Sequence, residues 1–149
     1  MEELTNHVQA DRVREFILFI GDRVKQCSQS FEQDCRLSHH ESSVLFALMQ
    51  DGPLAVKDIA ARLEVSLSTL TRILDSLEQT GYVKRNMDPK DRRSFIITLT
   101  ADAERMLETF PAQMNKIALE MLDSLTVAER LILLELFAKM KATMISRSE

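Results

Sequence analysis

The sequence predicts a mostly α-helical protein with one small β-ribbon. Apolar residues recur at steps of three and four through most of the chain, which is typical of helices that bury one face. Residues 82–85 and 94–99 are instead rich in β-branched and aromatic side chains and are predicted to be strands. Only three glycines and three prolines in 149 residues indicate long helices joined by few turns.

The order of the elements between residues 52 and 100 indicates a winged helix. This segment is predicted to contain a short helix, a tight turn, a longer helix and then the two strands, which flank a charged tip. A helix-turn-helix followed by a β-ribbon has this order, and winged helices mostly bind DNA. We therefore expect a winged helix-turn-helix lobe over residues 38–100, flanked by N- and C-terminal helices.

Length and composition favour a single soluble domain over residues 1–149. This length suits one hydrophobic core, and no apolar run approaches the ~20 residues that a membrane span needs. The polar, acidic N-terminus does not resemble a secretory signal, so we expect a cytoplasmic location. Two cysteines are too few for a disulfide framework, which also fits a reducing compartment.

Residues 4 to about 33 are predicted to form the first helix. Its apolar side chains form one stripe, and Leu18 and Phe19 extend the apolar surface beyond that stripe. We therefore expect this helix to contribute to a shared interface as well as to its own core. The stripe consists of Val13, Phe16, Ile17, Ile20, Val24, Cys27 and Phe31.

The second helix is predicted over roughly residues 39–50. Ser38 and Glu41 have the spacing of a capping box, in which each side chain satisfies a free backbone N–H of the other residue. Gly52, at a left-handed position, and Pro53 are expected to end the helix. The side chains expected to point inward are Val44, Leu45, Leu48 and Met49.

The third and fourth helices form the predicted helix-turn-helix. The third covers residues 56–63 with Ile59, Ala60 and Leu63 buried, and the turn is Glu64–Val65. The fourth begins after the N-cap Ser66 and ends near Thr80 and Gly81. Its core-facing residues are expected to be Leu67, Leu70, Ile73 or Leu74, and Leu77.

The opposite face of the fourth helix is the predicted DNA reader. Its first turns carry short hydroxyl side chains and one arginine, namely Ser66, Ser68, Thr69 and Arg72. Ser76 follows on the same side. Such side chains donate hydrogen bonds to base edges and phosphates without blocking the approach of the helix to the major groove.

The loop between the strands, residues 88–93, is predicted to be an ordered, charged wing. Asp91 and Arg93 are two residues apart on an extended segment, so they share a face and can pair as a brace. Lys90 and Arg92 are then free to reach a phosphate or the minor groove. Residues 56–93 contain eight Lys or Arg against six Asp or Glu, although the whole chain has a net charge of −4. The positive charge is therefore local.

The C-terminal part is predicted to be helical from Thr100, which caps the fifth helix. Pro111 predicts a kink, or a break near Thr109. A second capping box at Thr126 and Glu129 opens the last helix, which extends to about Ser146. This helix is apolar nearly all round, which predicts a partner, most economically a second copy of the chain. Its apolar residues include Leu131, Ile132, Leu133, Leu134, Leu136 and Phe137.

These segments resemble the multiple-antibiotic-resistance-regulator (MarR) family of bacterial transcription factors. The similarity covers about residues 38–103 and includes Leu-Glu-x-x-Gly at 77–81, Asp-x-Arg at 91–93 and then Leu-Thr at 99–100. Ala103 stands where the family often has glycine.

The resemblance implies an obligate homodimer in which the terminal helices, residues 4–37 and 101–147, interlock. It also implies that the two winged helices read a palindromic operator in double-stranded DNA. The helix from Ser66 would enter the major groove, and the wing from Lys90 to Arg93, including Arg92, would touch the minor groove. Repression relieved by a small aromatic or phenolic ligand, or by thiol oxidation, is implied as well. Pro111 leaves the separation of the half-sites open.

Three other functions are open on the residues alone. A thiol switch or a transition-metal site could be formed by Cys27, Cys35, His39 and His40. Either one would make the regulator redox- or zinc-responsive. A winged helix can also serve protein interaction only, but the hydroxyl-and-arginine face disfavours that function here. Since no Gly-rich phosphate loop or nucleophile-base motif is found, we expect neither an enzyme nor a bound cofactor.

Overall fold

The computed structural model describes residues 6–147, which form seven helices and three short strands. The chain divides into two compact units, Met1–Ala112 and Gln113–Glu149, with the boundary inside the sixth helix. The high helix content and the small antiparallel sheet confirm the predicted fold class. In the described part of the chain, no helix has the length and apolar character needed to cross a membrane.

Helix α1, Asn6–Cys35, extends two residues beyond the predicted end. Residues 4 and 5 of the predicted helix lie outside the described residues. Phe31 is the buried residue of α1, at 1% exposure, and it anchors the C-terminal part of the helix to the core of the first unit. Six apolar residues of the N-terminal half are 42–66% exposed, namely Val8, Val13, Phe16, Ile17, Leu18 and Phe19.

Helix α2, His39–Asp51, begins with the predicted capping box. The Ser38 hydroxyl accepts the Glu41 backbone N–H, and the Glu41 carboxylate accepts the Ser38 N–H at 2.8 Å. Gly52 has the expected positive φ of 77°, but its ψ of −155° lies outside the left-handed helical region. The prediction that Met49 points inward is wrong, because this residue of the last turn is 43% exposed. The buried residues of α2 are Ser42, Val44, Leu45, Ala47 and Leu48.

Three strands form one antiparallel sheet in the order β1-β3-β2. Strands β2, Val83–Met87, and β3, Phe95–Leu99, are the two predicted strands, and they pair with Met87 opposite Phe95. Strand β1, Leu54–Ala55, was not predicted, since two residues are too few to show an alternating pattern. It pairs with β3 and so attaches the start of the helix-turn-helix to the wing.

Helices α3, Val56–Leu63, and α4, Leu67–Gln79, form the helix-turn-helix. Between them Glu64 adopts the left-handed conformation with φ 54° and ψ 38°, which reverses the chain without a glycine. Leu70, Leu74 and Leu77 are buried as predicted. The expectation that Leu67 also faces the core is wrong: as the first residue of α4 it is 57% exposed.

Helices α5, Ala101–Leu107, and α6, Thr109–Asp123, confirm the break predicted from Pro111. Pro111 lies in the first turn of α6, where a missing backbone N–H disrupts no intrahelical bond. Thr100 caps α5 as predicted, by accepting the backbone N–H of the buried Ala103.

An aromatic cluster joins α1, α2 and the first turn of α6 within the first unit. The ring of Phe31 lies 5.4 Å from that of Phe46 and 5.5 Å from that of Phe110, and the last two rings are 4.6 Å apart. Phe31 is buried, whereas Phe46 and Phe110 are half-buried. Two of the three rings in this cluster are therefore partly exposed.

Helix α7, Val127–Ser146, belongs to the second unit and starts with the predicted capping box of Thr126 and Glu129. None of its residues is buried. Its exposed apolar side chains have exposures of 42–73%: Val127, Leu131, Ile132, Leu134, Leu136, Phe137, Met140, Met144 and Ile145. This surface matches the apolar excess that the sequence predicts.

Glu41 joins α2 to α4 and makes the stability of the lobe dependent on pH. Besides capping α2, its carboxylate accepts the Ser76 hydroxyl at 2.6 Å. Burial on its own would raise the pKa of Glu41, but the hydrogen bonds from Ser76 and Ser38 outweigh it and lower the pKa below 4.5. A carboxyl with a depressed folded-state pKa stabilises the fold above its unfolded pKa, and this stability is lost as the pH falls through the folded value.

We predict that Glu41→Gln lowers the free energy of unfolding by about 1 kcal/mol at pH 7, the usual cost of a lost hydrogen bond. The difference from the wild type should shrink as the pH falls from 4.5 downward, because the wild-type carboxylate is then protonated too. Urea denaturation at a series of pH values measures this difference, and Ser76→Ala should show a smaller effect of the same sign. A constant difference at all pH values would contradict the prediction.

Candidate nucleic-acid interface

Hydroxyl side chains cluster at the N-terminal end of α4. Ser66 and Ser68 are exposed and Thr69 is half-buried. The Ser66 hydroxyl accepts the Thr69 backbone N–H at 3.1 Å, so it caps the helix, and it lies 3.0 Å from the Ser68 hydroxyl and 2.9 Å from that of Thr69. The structure thus brings these three predicted DNA-binding residues together in one hydrogen-bonded group.

Arg72 lies one turn beyond Ser68 on the exposed face of α4. Within the described residues, its guanidinium group has no hydrogen bond and no ion pair. A guanidinium carries five N–H donors in a planar fork, which suits two acceptors on one guanine edge or one phosphate. Arg72 is therefore available to an external acceptor.

Arg85, on β2, has a different role that the sequence did not indicate. Its guanidinium donates to the Asp75 carboxylate at 2.6 Å, lies 3.3 Å from that of Glu78, and donates to the Thr71 carbonyl at 3.3 Å. Asp75 and Glu78 are exposed acids of α4, and their charge would repel a phosphate backbone. Arg85 offsets one of these two negative charges and links α4 to the sheet. Its partners lie seven to fourteen residues away in the chain, beyond the reach of any local pattern.

The wing is ordered by its aspartates. Asp88 accepts the Lys90 backbone N–H at 2.8 Å, and Asp91 accepts the Arg93 backbone N–H at 3.0 Å. The sequence predicts a pair of side chains at Asp91 and Arg93, whereas the observed hydrogen bond uses the backbone of Arg93. The side chains of Lys90, Arg92 and Arg93 are exposed.

Most of the basic side chains in residues 56–93 are available to an anionic ligand. Arg62 pairs with Asp51 and donates to Gln50, and Arg85 pairs with the acids of α4. In the part of the chain that the structure describes, the other six form no side-chain hydrogen bond or ion pair; they are Lys57, Arg72, Lys84, Lys90, Arg92 and Arg93. The local positive charge is therefore carried mostly by side chains that can reach an external ligand.

The cysteines and histidines near the end of α1 do not form a metal site. No group of three or more His, Cys, Asp or Glu side chains able to hold a metal ion occurs within residues 6–147. His39 is instead hydrogen-bonded to Glu32 at 3.0 Å, and His40 is exposed. Burial raises the pKa of Cys27, and burial together with the charge of Asp34 raises that of Cys35. Fewer reactive thiolates are then present at neutral pH, which disfavours a thiol switch.

We predict that Arg85→Ala weakens DNA binding without changing sequence preference. The variant leaves the charges of Asp75 and Glu78 uncompensated on α4, so affinity should fall roughly two- to ten-fold on all DNA, and less at high salt because screening weakens charge repulsion. Adding Asp75→Asn should restore part of the affinity. Gel-shift titrations at two salt concentrations test this, and a loss confined to one DNA sequence would contradict it.

Comparisons with known proteins agree with this geometry. The family model "MarR family" matches residues 37–95. The chain is 34% identical over 107 residues to YpoP of Bacillus subtilis (strain 168), an uncharacterized HTH-type transcriptional regulator. This alignment covers 72% of the chain and 76% of YpoP.

Solved structures share the fold. The transcriptional regulator Tm0710 from Thermotoga maritima superposes with a TM-score of 0.78 at 22% identity, covering 93% of this chain and 96% of that one. A mutant of S. aureus MepR bound to an oligodeoxyribonucleotide has a TM-score of 0.63 at 22% identity, with 89% and 97% coverage. At these identities the similarity concerns the fold alone.

Proposed function

Because the chain belongs to the MarR family of transcriptional regulators, we propose that it is a dimeric, sequence-specific DNA-binding repressor that reads an inverted repeat. The observation that carries the proposal is the unpaired Arg72 beside exposed Ser66 and Ser68 at the start of α4. Hydroxyls and a free guanidinium on a recognition helix are the groups that read base edges in the major groove.

The wing supplies the second part of the proposed interface. Lys90, Arg92 and Arg93 are exposed cations on a tip whose backbone is held by Asp88 and Asp91. Their contacts would be with phosphates or with the minor groove, which contribute affinity more than sequence preference. The fold neighbour MepR, whose structure holds an oligodeoxyribonucleotide, supports DNA as the ligand of this architecture.

Exposed apolar surface supports the dimer. The N-terminal half of α1 exposes Phe16, Ile17, Leu18 and Phe19, and α7 exposes apolar side chains along its whole length. A chain that stays in solution with this much apolar surface requires a partner, and a second copy supplies a self-complementary one. Two-fold symmetry then requires an inverted repeat, for which we expect half-sites about 34–36 Å apart, or one helical turn.

The proposed regulator responds to a small aromatic or phenolic ligand, as the family resemblance implies. The partly exposed rings of Phe46 and Phe110, which pack with Phe31, support this class of ligand, since aromatic rings pack well against one another. Release of bound DNA by a panel of small phenols would support the proposal. The redox- and zinc-responsive alternatives and a role in protein interaction only are not favoured.

Selection of DNA duplexes from a random pool by the purified protein tests the function. We expect an inverted repeat bound by two chains per duplex, with the stoichiometry measured by analytical ultracentrifugation. Enrichment of no sequence, or binding of a single chain to a single half-site, would contradict the proposal. A scrambled duplex of the same composition serves as the control for non-specific binding.

A further inference from the structure

Leu67 is an apolar side chain in an otherwise polar part of the proposed reading surface. It is the first residue of α4 and 57% exposed, between the exposed Ser66 and Ser68. Side chains of a helix point toward its N-terminus. At the first position, the side chain of Leu67 therefore projects beyond the end of the helix rather than over the buried Leu70.

The local structure does not need Leu67. In a hydrophobic staple, the residue before the N-cap packs against the fourth helical residue, and in α4 these are Val65 and Leu70. Val65 already packs against the core cluster that contains Leu70. The capping of α4 is performed by Ser66. An alanine at position 67 would thus satisfy the fold equally well.

Thr71 extends the apolar surface that Leu67 begins. It lies four residues later, on the same side of α4, and is exposed. Its hydroxyl donates to the Leu67 carbonyl at 2.8 Å, so the methyl group is the part of the side chain left for other contacts. Ser68 and Arg72 form a parallel polar row with the same spacing. The exposed face of α4 therefore carries one apolar row beside one polar row.

A single exposed leucine on a protein surface needs no explanation. This leucine lies beside the hydroxyl side chains of residues 66, 68 and 69 and beside the unpaired Arg72. The surface that binds those side chains would therefore also cover Leu67. Leucine neither donates nor accepts hydrogen bonds, so it gains nothing from the polar edges of bases. The thymine 5-methyl group is the apolar group that unmodified DNA displays in the major groove.

We propose that Leu67, together with the methyl group of Thr71, recognises the 5-methyl group of a thymine in each half-site of the operator. This inference rests on the proposed function and adds a specificity determinant to it. Arg72 and Ser68 would read hydrogen-bonding groups, while the apolar row would distinguish thymine from cytosine at a neighbouring base pair. The proposed contact is a hydrophobic one, and its strength should depend little on salt.

Uracil substitution removes the methyl group alone and therefore tests the contact directly. In the duplex that the wild-type protein selects from a random pool, each thymine would be replaced singly by deoxyuridine. We expect one thymine per half-site at which the replacement weakens wild-type binding about four-fold, the effect of one buried methyl group. Replacing it in both half-sites should weaken binding about fifteen-fold, since separated positions act independently.

The variant Leu67→Ala tests the same contact from the protein side, and together with the uracil duplex it forms a double-mutant cycle. It should bind the unmodified duplex several-fold more weakly than the wild type and lose most of the sensitivity to uracil at that position. Circular dichroism and thermal melting should show an unchanged fold, since alanine is a better helix former. Met49→Ala, which truncates a 43% exposed apolar side chain of α2, is the matched control and should keep the uracil sensitivity of the wild type.

The outcomes separate this inference from the proposed function. If uracil at every thymine leaves wild-type affinity unchanged, or if Leu67→Ala keeps the wild-type uracil sensitivity, the thymine contact is overturned and sequence-specific binding stands. If the wild-type protein selects no sequence at all, the proposed function fails, and this inference fails with it.

Discussion

Replacing Arg72 by alanine is expected to lower affinity for the selected operator by about 5- to 150-fold per half-site, or 1–3 kcal/mol, the range measured for a base-reading arginine. The residue is exposed on α4 and has no internal partner among the described residues, so its loss should leave the fold intact. Affinity for a scrambled duplex should change much less. Selectivity should relax at the base pair that Arg72 reads, which repeating the selection with the variant would reveal.

The wing residues provide the contrasting variants. Lys90→Ala and Arg92→Ala should weaken binding to operator and scrambled DNA by similar factors, because phosphate contacts carry little sequence information. Each should also reduce the slope of log affinity against log salt by about one in each chain. Arg105→Ala removes an exposed arginine of α5 that pairs with Asp102, and it controls for the loss of one positive charge elsewhere. Equal losses on operator and scrambled DNA for Arg72→Ala would reject its role in reading a base.

Replacing Phe31 by alanine is expected to lower the free energy of unfolding by about 3–5 kcal/mol. Phe31 is 1% exposed and contacts the rings of Phe46 and Phe110, so truncation removes a large buried surface and leaves a cavity. Since a typical domain is stable by only 5–15 kcal/mol, this is a large share of the total. Urea denaturation of both proteins at one fixed concentration measures the difference.

The same substitution at an exposed site is the control for Phe31→Ala. Phe95, on β3, is 43% exposed, and Phe95→Ala should cost about 1 kcal/mol or less. The fixed concentration matters because a dimer gains stability as its concentration rises. If Phe31→Ala and Phe95→Ala cost the same, the aromatic cluster does not hold α1 to the first unit.

Leu67 and Arg85 show why the candidate interface could be predicted only in part from the sequence. The reading face of α4 follows from helical periodicity, which placed Ser68 and Arg72 opposite the buried leucines. Periodicity also placed Leu67 with those leucines, because the spacing of apolar residues does not show where the packed part of the helix ends. The pairing of Arg85 with Asp75 depends on how β2 lies against α4, and no spacing in the chain encodes that contact.

The sequence by itself determined the features that depend on interactions within three or four residues. Several local predictions agree with the structure, because each depends on a side chain and a nearby backbone group. They are the capping boxes at Ser38 and Thr126, the N-cap at Ser66, the bounds of α3 and the break before Pro111. Family membership follows from the same local motifs, which keep their spacing along the chain.

Only the tertiary structure decided which polar and apolar groups remain available for binding. It buried Ser42 against Glu32, tied Ser76 to Glu41, paired Arg85 internally, and left Leu67 exposed at the start of α4. The physical reason is that burial and ion pairing depend on the packing of elements that are distant in the chain. Seven to thirty-five residues separate the partners in these contacts, so a local pattern cannot specify them.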